Sequence, residues 1–309
     1  MDENRIPQDA SSVIRRFFFS QKDRRLRLGW RLLVQTIFFL TLTFGFGILI
    51  LIPIQQVWGK EPGGFSLVAI SEGIEFLSIT ISVFISWIFL DRQPIQSLGL
   101  KVDRQMLPDL LAGFGMAMVM FGSIFLVMLH MGLVKISGTT WGTQKFVPFM
   151  VNFLMVTFAF LLVGWNEELL IRGYYLQTIA STSSMTGGIL FSSLAFGLAH
   201  LLNPNASWAS VLGITGTGFL LAFSYFRSRR LWLPMGIHFG WNFFEGLVFG
   251  LPVSGLKVFS LLQVKIPGPR VWTGGDFGPE AGLIQVAGWV LGLVLIYWYT
   301  RKQGSTLNR

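Results

Sequence analysis

The chain has 309 residues, 52% hydrophobic and only 13% charged, with a mean hydropathy of +0.60, which excludes an ordinary soluble domain and points to one integral membrane domain. Its formal charge of +9 comes from basic residues that flank apolar segments rather than line a polar face, so the expected partner is a lipid bilayer with anionic headgroups and not nucleic acid. The absence of cysteine rules out disulfides, thiolate metal ligands and a cysteine nucleophile.

Residues 1–30 read as a basic cytoplasmic or interfacial tail, with Phe17 to Phe19 as an apolar patch between arginines. It lacks the apolar stretch and small-residue cleavage site of a signal peptide. About eight apolar runs follow, near 32–54, 67–90, 107–134, 146–180, 187–201, 208–226, 231–251 and 282–300. The expected fold is therefore all-α, a polytopic membrane helical bundle of about eight transmembrane helices. The chain divides into N-terminal transmembrane helices over 31–146, a second membrane core over 147–300 and a cytoplasmic tail over 301–309.

Basic clusters recur on one side of this arrangement: Arg15 to Arg31 before the first run, Arg92, Lys101 and Arg104 after the second, Arg227 to Arg230 after the sixth, and Arg301, Lys302 and Arg309 at the end. The positive-inside rule then places both termini in the cytoplasm, with Lys257, Lys265 and Arg270 as exceptions on the far side. The Gly- and Pro-rich stretch 251–282 reads as an ordered or semi-ordered loop outside the membrane.

Three polar clusters interrupt the apolar runs: Glu167, Glu168 and Arg172; His200; and His238 with Asn242. Ionisable side chains in a membrane span are costly and mark functional sites. Glu168 and Arg172 are one helical turn apart and able to pair, which leaves Glu167, rotated by about 100°, for chemistry. If the fourth and fifth runs form a hairpin turning at Ser183 and Ser184, Glu167 and His200 lie at equal depth, about 25 Å along each helix. His238 and Asn242 share one helix face but lie only about 13 Å from the basic turn at Arg227 to Arg230.

A carboxylate and an imidazole around one water supply a general base for attack on a peptide carbonyl, and an imidazole with a carboxamide supplies donors for the oxyanion. Glu167, His200 and His238 could instead hold Zn2+ whose bound water attacks, although no HExxH pair is present. Both schemes hydrolyse an amide. Glu72 and Glu75 are expected at the outer water interface of the second run, His130 as a structural residue, and Glu280 as a loop residue outside the site.

The arrangement Glu167-Glu168-x-x-x-Arg172, Phe196-x-x-x-His200 and His238-x-x-x-Asn242 resembles, in order, the three signature motifs of the CPBP family, which comprises type II CAAX prenyl endopeptidases and bacteriocin-processing or immunity (Abi) proteins. Asn203-Pro204, Trp241-Asn242-Phe243 and the stretch from Gly274 to Glu280 fit the same pattern. The resemblance implies an intramembrane endopeptidase, commonly labelled a metalloprotease, with a cavity open towards the cytoplasm and a membrane-associated protein or peptide as substrate. It implies that Glu167 and His200 activate the water, His238 and Asn242 stabilise the oxyanion, and Glu168 with Arg172 support them. A bacterial cell membrane is the expected location. The alternative is a noncatalytic membrane scaffold or immunity protein of the same fold; a transporter would require pseudo-symmetric halves that the sequence does not show. Substrate identity and oligomeric state are not encoded in any motif.

Overall fold

A computed structural model describes residues 16–21, 23–58 and 65–301. Most of the expected N-terminal tail, including Arg15 and Lys22, and the C-terminal tail with Lys302 and Arg309 lie outside the described residues. The fold is an all-α polytopic membrane bundle, and six of its described helices are long and apolar enough to cross a bilayer. We label the long helices α1 (Leu28–Trp58), α2 (Phe65–Phe89), α3 (Met106–His130), α4 (Phe146–Glu168), α5 (Met185–Ala199), α6 (Trp208–Ser228), α7 (Trp232–Asn242) and α8 (Gln285–Arg301).

The expected seventh and eighth helices are present and shorter than these six spans. Helix α7 has 11 residues, extended by a π-helical segment Phe243–Val248, and α8 has 17. The physical reason for α7 is its burial: every residue from Trp232 to His238 is buried, so neighbouring helices rather than lipid satisfy its apolar surface. Gly236 and Gly240 permit this, because a Cβ on Gly236 would come within 2.4 Å of the Leu110 carbonyl and one on Gly240 within 2.7 Å of Ala117. Small residues at such a crossing bring two helix backbones together. The result fixes the Gly236 and Gly240 face of α7 against α3 and leaves His238, about 200° round the helix, on the opposite side facing Glu168.

Helix α4 continues past Glu168 through a π-helical segment Leu169–Leu176 and a last α turn Gln177–Ala180, and the polar turn at Ser181 to Ser184 then leads into α5, whose N-cap Ser184 accepts from the Gly187 N–H at 3.0 Å. Helix α5 ends at Ala199, and His200 opens a short 3₁₀ turn before Asn203-Pro204. Proline bars helix continuation there. Ser207 restarts it through a reciprocal capping box with Ser210.

Hydrogen bonds sort the loops onto two faces. On one face Arg31 pairs with Asp91 and donates to Thr182 at 2.6 Å, Arg230 binds Asp103 at 2.6 Å and Asp109 at 2.8 Å, the Leu231 N–H donates to the Gly99 carbonyl at 3.0 Å, and Arg227 donates to Thr300. The tail joins this face: Phe17 and Phe18 pack on Trp30, and Arg25 donates to the Asp91 carbonyl at 2.8 Å. On the opposite face, β1 (Lys135–Thr139) pairs antiparallel with β2 (Leu262–Lys265), Gly268 N–H donates to the Leu133 carbonyl, and Asn203 donates to the Ser254 carbonyl at 3.0 Å. The stretch 251–282 is thus an ordered cover of that face.

Candidate active site

Glu168 is fully buried at the last position of α4. Its Oε1 accepts from Arg172 Nη1 at 2.7 Å and from His238 Nδ1 at 2.8 Å, so one carboxylate oxygen serves the ion pair that the four-residue spacing permits and also orients a histidine from α7. Arg172, likewise fully buried, donates its other arm to the Gly218 carbonyl of α6 at 3.1 Å and lies over the Phe196 ring at 4.5 Å. Phe196 touches His200 edge-on at 4.8 Å and His238 at 6.1 Å. The aromatic residue of the second motif is therefore the packing hub between the charged pair and both imidazoles.

Glu167, one residue earlier, points elsewhere. Its carboxylate lines a cavity of about 220 Å3, with Oε2 3.5 Å from His238 Nε2. His200, His238 and Asn242 line the same cavity. The depth mismatch expected between Glu167 and His238 is closed in the structure, and the wider, flatter turns of the π-helical segment after Glu168 take up part of it. His238 Nδ1 is engaged by Glu168 and His200 Nδ1 by the Phe196 carbonyl at 2.8 Å. A carbonyl only accepts, so His200 carries its proton on Nδ1 when neutral, leaving the Nε2 lone pair free.

Residues 148–244 match the family model described as type II CAAX prenyl endopeptidase Rce1-like. Over this segment the chain is similar to CAAX-protease-like membrane proteins. No curated protein and no solved structure matches the chain. The Rce1-like segment contains Glu167, Glu168, Arg172, His200, His238 and Asn242, and ends before the loop that covers the cavity.

Several residues outside the Rce1-like segment belong to the cavity, against expectation. Glu280 lines it rather than standing apart as a loop residue: it is 4% exposed, and its Oε2 accepts from the Ser254 N–H at 2.7 Å and from the Ser254 hydroxyl at 2.6 Å. Burial pushes its carboxyl above the ordinary range, against the lowering effect of the Ser254 donors. Gly213 makes room for it, since a Cβ there would fall 1.8 Å from the Glu280 carbonyl oxygen. Glu72 and Glu75 also line the cavity instead of an outer interface, and Glu72 Oε2 accepts from Asn166 at 3.2 Å. The available signal was their spacing of three residues within an apolar run, which puts both carboxylates on one helix face. His130 is exposed in the last turn of α3, away from this cluster.

The cavity is lined by residues of α2, α4, α5, α6 and α7 and by loop residues Asn203, Ser254, Leu256 and Glu280 from the β1–β2 side, while Leu220, Leu221 and Ile237 form a buried floor. None of the loops carrying the basic clusters contributes. The cavity and the basic loops thus lie at different ends of the bundle. As for zinc, no three His, Asp or Glu side chains among the described residues converge as a ligand set, so Glu167, His200 and His238 do not fit a metal as they stand.

Proposed function

We propose that the cavity hydrolyses peptide bonds of membrane-associated proteins or peptides, with Glu167 and His200 activating a water and His238 and Asn242 binding the oxyanion. The water gives its proton to the base as its oxygen attacks the carbonyl carbon; collapse of the tetrahedral intermediate breaks the C–N bond, and the same proton passes to the leaving amine. His238 suits the oxyanion as the imidazolium, in which Nδ1–H donates to Glu168 and Nε2–H, 3.5 Å from the Glu167 carboxylate, donates into the cavity. His200 suits the base because its Nε2 lone pair is free when the ring is neutral. No step is routed through a metal.

The observation that carries this reading is the division of labour in Glu167-Glu168. Glu168 is enclosed and committed to Arg172 and His238, whereas the Glu167 side chain is 31% exposed in the cavity. A scaffold has no use for that arrangement, since buried charges cost stability that an apolar core of equal volume does not. The test compares membrane proteomes of cells carrying the unmodified chain and Glu167→Gln at equal expression. Processed termini are expected to disappear with the substitution, with activity falling about 10²-fold or more. Unchanged termini would reject the catalytic role of Glu167 and favour the noncatalytic alternative.

A further inference from the structure

The polar residues that line the cavity have a route to water on one defined side. At the cavity's rim, Glu72, Glu75, Asn203 and Ser254 are half-buried and Leu256 is 44% exposed, whereas the floor residues Leu220, Leu221 and Ile237 are at most 2% exposed. Along α2, which runs towards the basic face, Glu72 and Glu75 lie in the first half. Along α5, which runs away from it, His200 follows the last residue. Below Glu167, the space between cavity and basic face is filled by Leu169, Arg172 and Tyr174, all fully buried. The cavity is closed towards the basic clusters and open away from them.

Basic residues are enriched on the cytoplasmic side of membrane helices. Arg24, Arg25, Arg92, Arg104, Arg229 and Arg230 all lie on the closed side of this protein. We infer that the cavity opens on the extracytoplasmic side of its membrane, so that its substrates are peptide segments presented at the outer leaflet and not cytoplasmic tails. The far face carries fewer cations, Lys135, Lys145, Lys257, Lys265 and Arg270 among the described residues, and so does not reverse this assignment. The substrate half of the inference rests on the proposed proteolysis; the orientation does not.

Because the chain has no cysteine, single introduced thiols report the orientation directly. Lys257 and Lys101 have side chains 76% and 71% exposed on opposite faces. With a membrane-impermeant maleimide, Lys257→Cys should react in intact cells and Lys101→Cys only after permeabilisation. Labelling of Lys101→Cys in intact cells, or failure of Lys257→Cys to label until the cells are opened, overturns the orientation. For the substrate half, termini lost in Glu167→Gln cells should map to the extracytoplasmic side of their membrane anchors; termini on the cytoplasmic side overturn it. If the labelling is as expected but no terminus is lost, proteolysis is the reading that fails and the orientation stands.

Discussion

The two faces of this molecule use charge in opposite ways. On the basic face nearly every described acid has a guanidinium partner: Asp91 has Arg31, Asp103 and Asp109 share Arg230, and Asp23 has Arg25, which holds the Asp23 carboxyl down to about 2. On the cavity side Glu72, Glu75, Glu167 and Glu280 line one space to which no lysine or arginine contributes. Charge paired with its opposite holds loops in register; charge kept from its opposite is available to a substrate or a proton. The Glu168–Arg172 pair lies between the two regimes, structural in its bonding yet the support of His238.

Breaking that boundary should have the largest effect. Arg172→Ala leaves Glu168 buried without its counter-charge, and a loss of about 3–5 kcal/mol in unfolding free energy is expected, read as a drop in Tm of the purified protein in detergent. Next comes a substitution that touches no charge: Gly213→Ala forces the Glu280 backbone away from α6 and should lower kcat/KM by about 10²-fold, with far less effect on Tm than Arg172→Ala. Equal losses of stability in the two variants would show that the loop is merely part of the fold.

On the other face the effect should be reversed in kind. Arg230→Ala removes a partner of buried Asp109, which keeps its bond from Tyr299, so a cost of about 1–3 kcal/mol is expected with kcat/KM unchanged. The same change has a pH signature. Hydrogen bonding to Arg230 holds the Asp103 carboxyl below its ordinary 3.8, so its contribution is present above that value and lost as pH falls through the lowered folded value. Below this range the gap between the variant and the unmodified chain should narrow by the Asp103 part alone. Smallest of all, exhaustive chelation should leave processing unaltered, since the donors do not form a ligand set; a loss restored by Zn2+ would require Glu167, His200 and His238 to close around the ion.

Local spacing made much of the site legible. Four-residue intervals place Glu168 with Arg172 and His238 with Asn242 because a helix turn is a local fact. The helical bundle was likewise legible from apolar runs, although hydropathy does not say that protein rather than lipid covers α7. Glu72 and Glu280 join the cavity from positions far along the chain, through packing that no window of sequence contains. The side on which the cavity opens is a tertiary property, set by which helices and loops line the space.

The widened turn after Glu168 has a consequence for how this chain tolerates change. A π-helical segment accommodates an extra residue relative to regular helix, so it acts as a phase shifter between the reactive upper part of α4 and its lower part, where Tyr175 meets Thr36 at 2.7 Å and Tyr174 reaches the Arg31 carbonyl. Deleting a single amino acid there would restore a uniform pitch and rotate the tyrosines off α1. Insertions and deletions, ordinarily confined to loops, thus acquire meaning inside this membrane helix.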